Sequence, residues 1–347
     1  MKKITAALLC VMLVICTSVT AFGATKSDVK EKTNTAVSFA FDNYYSQNGY
    51  DVSATKNLYI LARSGADISN FTDGYFKSVS AAAQAGTLTD PGVIGMAVSI
   101  AQQAGIDPEN AGGTNLIEAL KNAEISAVST PYNYFYAIEA AENNGLDDKT
   151  AALSAALAQY YTPGEGTDFW SGYGTSPDDL AMFILAMETA GEYEEYTQDA
   201  FEILETFATE QGYSNYGANA DSTALALAAY SAAGNADKAD EIYNILIKNY
   251  YDSETGGFKA DYDEYYATAD AVFALSFYLP LAEDGAPQES PADSTETTTE
   301  TQQPAAAEQN KDSGKTSPET GAQPEAALGA AAFALIIGAA AVIKKNK

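Results

Sequence analysis

Residues 176–191 read SPDDLAMFILAMETAG, and this stretch decides the fold. An Asp pair opens it and Gly191 closes it. Between them no side of a helix would be polar. A helix that is apolar nearly all round is buried among other elements. The closing glycine supplies the left-handed turn that ends it.

The same pattern recurs in both directions along the chain. It reads DVSATKNLYILARSG at 51–65, TDPGVIGMAVSIAQQAG at 89–105, TPYNYFYAIEAAENNG at 130–145 and NADSTALALAAYSAAG at 219–234. The closing glycines are Gly65, Gly105, Gly145, Gly191 and Gly234, spaced 40, 40, 46 and 43 residues apart. A sixth unit, TADAVFALSFYLP at 268–280, aligns Asp270 with Asp221 and Asp178 and lacks the glycine. Between the units lie patterns with one polar face, at about 33–47, 72–84, 113–124, 148–161, 194–210 and 237–250. In the last of these, Ile242, Leu246 and Tyr250 fall at helical spacing with charges opposite.

Alternating helices at this period fit an open solenoid of HEAT type or a closed ring. A solenoid leaves its inner helices a polar side, whereas FILAM, ALALAAY and FALSFY have none. The expectation is an all-α fold over 31–283: an (α/α)6 toroid with six inner and six outer helices.

The linkers TDFWSGYGTSPDD (167–179), EQGYSNYGANAD (210–221) and SETGGFKADYDEYYATAD (253–270) each place a Gly-aromatic turn before an Asp-bearing helix. This resembles the repeats of the terpenoid cyclase and protein prenyltransferase superfamily, with GGF at 256–258 the nearest match. The resemblance covers about 250 residues and implies the ring fold more than an activity. Cobalamin carriers of the transcobalamin type share that ring, as do Gram-positive surface proteins with no assigned chemistry.

The two ends read as addresses. MKKITAALLCVMLVICTSVTAFGA begins with Lys2 and Lys3, runs apolar, and has small residues at Ala21 and Gly23. This is a secretory signal peptide over 1–23. It holds both cysteines, Cys10 and Cys16, so the exported chain has none and no disulfide framework. At the other end SPETG (317–321) precedes an 18-residue apolar run (326–343) and the basic KKNK. That order is similar to the LPxTG-type sorting signal of Gram-positive surface proteins, with Ser317 in place of Leu. The resemblance implies a sortase that cuts between Thr320 and Gly321 and joins Thr320 to peptidoglycan, with the protein on the extracellular face of the wall. A retained transmembrane anchor is the alternative. Residues 284–316, rich in Pro, Thr, Ser, Glu and Gln and without aromatics, read as a disordered wall spacer.

Removing Lys2, Lys3, Lys344, Lys345, Lys347 and Glu325 leaves 13 basic and 46 acidic residues, a net charge of −33. Nucleic acid is excluded as a partner, because phosphate binding needs clustered Lys and Arg. Arg63 is the single arginine, Trp170 the single tryptophan, and histidine is absent.

In a ring of this kind the N-terminal ends of the inner helices form the mouth, where the helix dipoles gather positive potential. The expected rim is Asp90, Tyr132, Asn133, Asp178, Asp179, Asp221 and Asp270, with Trp170, Tyr173, Tyr213, Tyr216, Phe258, Asp261 and Asp263 on the loops. Each Asp has a structural alternative as a helix N-cap, and each aromatic as a loop plug.

The prenyltransferase resemblance implies a zinc held by Asp, Cys and His. Without Cys or His that activity is excluded, and so is typical zinc catalysis. The cyclase resemblance implies a DxDD acid, but the matching place is Ser176-Pro177-Asp178-Asp179, and those cyclases use two rings and many tryptophans. A glycan-active hydrolase or lyase remains, with Asp178, Asp179, Asp221 and Asp270 as candidate carboxylates and Trp170 or Tyr173 as platform. DSETGG (252–257) spaces Asp252 and Glu254 as a calcium loop does but lacks the other acidic ligands. The leading expectation is a non-catalytic binding or adhesion module without metal or cofactor. Its partner is a glycan, small molecule or protein; corrinoid or isoprenoid capture is a further alternative.

Overall fold

The computed structural model describes residues 23–45, 49–215, 217, 219–260 and 264–284. The chain divides into units of residues 1–288 and 289–347, and every described residue lies in the first. The expected leader except Gly23, nearly all of the spacer, and the sorting signal with Thr320 and Gly321 lie outside the described residues. Among the described residues no helix is long and apolar enough to cross a membrane.

The fold is all-α. Helices α1 (Lys26–Asn43), α3 (Ser69–Gln84), α5 (Leu116–Asn122), α7 (Asp147–Ala158), α9 (Glu194–Glu205) and α11 (Ala236–Tyr250) carry the polar-faced patterns. Helices α2 (Thr55–Arg63), α4 (Pro91–Gln103), α6 (Asn133–Asn143), α8 (Pro177–Ala190), α10 (Ala220–Ala232) and α12 (Glu264–Tyr278) carry the apolar ones. Burial separates the two sets. Every residue of α10 from Ala220 to Ser231 is buried, and so is every residue of α8 from Asp179 to Met187. By contrast α11 buries only Ala239, Ile242, Tyr243 and Leu246. Tyr243, not the expected Tyr250, completes that stripe.

Each apolar helix packs on the next. The succession α2, α4, α6, α8, α10, α12 runs through the molecule, and α12 also packs on α2. The polar-faced helices lie against it, α1 on α12, α5 on α4, α7 on α6, α9 on α8 and α11 on α10. The ends of the helical body are stitched by backbone bonds from Lys26 N to Glu283 O at 2.9 Å and from Glu283 N to Ala24 O at 3.0 Å.

Local chemistry sets the element ends. Ser176 caps α8 by accepting from Asp179 N, with Pro177 at the first helical position. Gly191 ends α8 at φ 65°, where a Cβ would be strained. One glycine contact was not legible as a stop signal. A Cβ on Gly95 would lie 2.3 Å from Tyr136 O, so α4 and α6 meet backbone to backbone there.

The Gly-aromatic linkers form small hairpins. Strand β1 (Tyr161–Thr162) pairs with β2 (Gly166–Thr167), and β3 (Ala208–Thr209) with β4 (Gly212–Tyr213). A single bridge joins Tyr251 and Phe258. In each linker a backbone N–H is tied to a threonine ahead in the chain: Thr167 N to Thr175 Oγ1 at 3.2 Å, Tyr213 N to Thr223 Oγ1 at 3.0 Å, Phe258 N to Thr268 Oγ1 at 3.0 Å. In the latter two the threonine sits on the following buried helix, so the hairpin folds inward onto it.

Arg63 ties three helices at their C-terminal ends. It donates to Ser276 Oγ (α12) at 2.9 Å and to Tyr59 OH (α2) at 3.1 Å. It also pairs with Glu139 of α6, and its guanidinium stacks 3.7 Å above the Phe277 ring centre. Nothing in its sequence neighbourhood singles out this role.

Candidate functional site

The residues expected at the rim fall into four groups. Asp90 and Asn133 belong to a capping cluster. Asp90 accepts from Gly92 N at 2.7 Å, from Ser129 N at 3.1 Å and from Asn133 Nδ2 at 2.8 Å. Its carboxylate is used up by the start of α4, as the capping alternative supposes.

The second group is built on Asp179, which is 1% exposed. Its Oδ1 accepts from Tyr132 OH at 2.7 Å and from Trp170 Nε1 at 3.2 Å. Burial pushes its pKa up, while the donors Tyr132, Ser176 and Trp170 pull it back. Tyr132 stands edge-to-face against Trp170, with centroids 5.9 Å apart at 89°. It packs likewise on Phe169 at 5.9 Å, which meets Tyr160 at 5.8 Å. Trp170 keeps 43% of its surface exposed and Tyr173 88%.

The third group lines a cleft of about 940 Å³ where α8, α10 and α12 begin. Its walls carry the amides of Gln211, Asn215, Asn219 and Asn249 and the hydroxyls of Ser176, Ser214 and Ser222. Its charged lining is Asp178, Lys259 and Glu264. Asn219 is fixed as the N-cap of α10, accepting from Ser222 N at 2.8 Å. Tyr250 OH and Asn249 Nδ2 brace the wall by donating to Gln211 O at 2.6 and 3.3 Å.

Asp178 is the expected rim carboxylate that lines this cleft, together with Glu264. Burial, and then the charges of Asp270 and Asp179, push it up to about 6, against the opposing hydrogen bond from Ser222. Its Oδ1 is buried without a hydrogen-bond partner among the described residues. Asp221, at the matching place on α10, is buried, 5% exposed. Asp270 is not at a helix opening. Helix α12 begins at Glu264, so Asp270 lies in its second turn, with Lys56 Nζ of α2 3.9 Å away. Burial raises its pKa and Lys56 opposes the rise.

The fourth group is turned inward. Tyr213 and Phe258 are each 1% exposed. Tyr213 OH donates to Glu205 Oε1 at 2.6 Å, and Phe258 packs edge-on against Tyr251. The threonine ties to their backbone N–H hold both as plugs, so neither is a rim residue. Tyr216, Asp261 and Asp263 lie outside the described residues. In the DSETGG turn, Asp252 accepts from Glu254 N at 2.9 Å and pairs with Lys259 Nζ at 3.2 Å. Its carboxylate is spent on the turn and on a cation.

Sequence reasoning missed the amides of the cleft. Gln211 and Asn215 lie inside the Gly-aromatic linker at 210–221 and Asn249 near the end of α11, where the aromatic and charged neighbours carry the stronger signals. Asn219 alone had a signal, as a capping residue ahead of an apolar run. Comparison with protein-family models, curated proteins and solved structures found no match to this chain.

Proposed function

We propose that this chain is a cell-wall-anchored surface protein of a Gram-positive bacterium that displays an (α/α)6 toroid as a non-catalytic binding module. The ring reading is supported by the unbroken succession of six buried helices whose last packs on the first. The binding reading rests on one observation above all, a cleft in which seven amides and hydroxyls outnumber the three charged side chains, Asp178, Lys259 and Glu264. Amides and hydroxyls exchange hydrogen bonds with a polar ligand at little desolvation cost.

One of the four candidate carboxylates is already occupied, since Asp179 is held by Tyr132 and Trp170. The rim residue Asp90 is likewise spent on capping its helix. The test is a thermal-shift screen of the full chain against wall fragments, host glycans, isoprenoids and corrinoids, with product analysis of the same wells. The expected result is a shift without turnover.

The proposal of wall attachment rests on the sorting-signal resemblance of residues 317–347. Sortase would join Thr320 to peptidoglycan and release Gly321 onward. Mass spectrometry of protein freed from walls should find a C-terminal peptide ending at Thr320. An intact tail through Lys347 would instead indicate a membrane anchor.

One observation favours a second reading. Asp178, raised to about 6, and Glu264 line the same cleft, the environment of a general acid beside a second carboxylate. A glycan hydrolase would show products that Asp178→Asn abolishes while binding persists.

A further inference from the structure

The loop at 168–175 leads into the start of α8, whose Ser176, Pro177 and Asp178 line the cleft, and it holds an aromatic face in place there. Trp170 is fixed by its edge, because Nε1 donates to a buried carboxylate that also holds Tyr132. Its ring is braced by Tyr132 edge-to-face. The loop is tied down on both sides: Gly172 N donates to Asp168 Oδ1 at 3.0 Å, and the Thr167 and Thr175 hydroxyls meet at 2.8 Å. Ser171, next to the tryptophan, sits at φ 27°. A non-glycine residue there is strained, and such strain persists where the surroundings over-determine it.

An indole with 43% of its surface in water is thus anchored through the residue next to Asp178, on the same helix start that opens the cleft. A core residue would be covered, and a stray surface aromatic would not have its polar edge engaged by a buried acid. Tyr173, 88% exposed, follows three residues on. The pairing of a flat apolar face with a wall of amides and hydroxyls matches a pyranose. Its axial C–H face needs an aromatic surface, and its equatorial hydroxyls need neutral donors and acceptors.

We infer that the ligand is an uncharged polysaccharide, with one sugar ring stacked on Trp170 and its neighbours hydrogen-bonded in the cleft. This rests on the reading of the cleft as a binding site and specifies its ligand. The charge of the protein selects within the class. A polyuronate or sialylated chain would meet a protein of net charge −29 and be repelled.

Trp170 is the one tryptophan among 347 residues, so the intrinsic indole fluorescence of the full chain reports this ring alone. The full chain is titrated with a neutral β-glucan, an α-glucan and a mannan, and with polygalacturonate and hyaluronate. We expect a saturable change in indole emission with at least one neutral polymer and none with the polyuronates. By affinity electrophoresis in that neutral polymer, Trp170→Ala should lose at least tenfold in affinity and Trp170→Phe less. Equal binding of polyuronates overturns the inference, and so does full affinity in Trp170→Ala. If Trp170→Ala binds normally but Asn249→Ala or Asp178→Asn does not, the cleft reading stands and the platform fails. If no glycan binds but another ligand from the screen does, and cleft variants weaken it, the carbohydrate assignment alone is lost. If nothing binds at all, both readings fail.

Discussion

Asp178 and Asp179 are neighbours in sequence with different fates. Asp179 turns toward α6 and is satisfied by a phenol and an indole. Asp178 turns toward α10 and α12, where burial and two other acids disfavour its charge. Its folded pKa of about 6 lies above the ordinary aspartate value, so the folded state binds more protons than the unfolded one between about pH 4 and 6. Its contribution to stability therefore falls as pH rises through that window, and the cost is complete above it, at most ~3 kcal/mol. Asp178→Asn should raise the melting temperature at pH 7.5 and leave it nearly unchanged at pH 4, as urea or thermal denaturation at the two pH values would reveal. A variant no more stable than the parent at pH 7.5 would mean that Asp178 is better solvated than its surroundings suggest.

The twelve helices among the described residues were legible as elements because each type carries its own pattern. An apolar run, closed by glycine in five units out of six, marked the buried set, and a single polar face marked the other. What stayed illegible depends on contacts made across the chain. Tyr213 and Phe258 look like exposed loop aromatics until Thr223 and Thr268 capture their N–H groups and fold them in. Asp270 aligned with Asp178, but α12 starts earlier, at Glu264, and carries Asp270 one turn deeper. Gly95 reads as a weak spot within a helix, yet it permits the contact of α4 with α6. Gly95→Ala should destabilise the fold by about 1–3 kcal/mol or more, because the new methyl meets a carbonyl that cannot step aside. Gly86→Ala is no neutral control, since Gly86 is itself left-handed at φ 68°. Gly74→Ala is one: it lies within α3 with nothing near its absent Cβ, and it should be neutral or slightly stabilising. Chemical denaturation of both variants compares the two.

At the scale of the molecule, the first buried helix packs on the last. Arg63 of α2 ties it there through Ser276 and Phe277, and reaches α6 through Glu139. Arg63→Met should cost about 3–5 kcal/mol, since it strands the buried Glu139 carboxylate. Arg63→Met combined with Glu139→Leu should recover much of that loss, since no unpaired charge remains. A double-mutant cycle by urea denaturation measures the coupling.

The cleft where α8, α10 and α12 begin carries the functional account. Its most direct test is hydrogen–deuterium exchange of the full chain, alone and saturated with the neutral polysaccharide that most perturbs Trp170. Ligand bound at this cleft should slow exchange within 168–179, 211–215, 219–222 and 249–260. Protection elsewhere on the helical body, with those segments unchanged, would contradict the assignment.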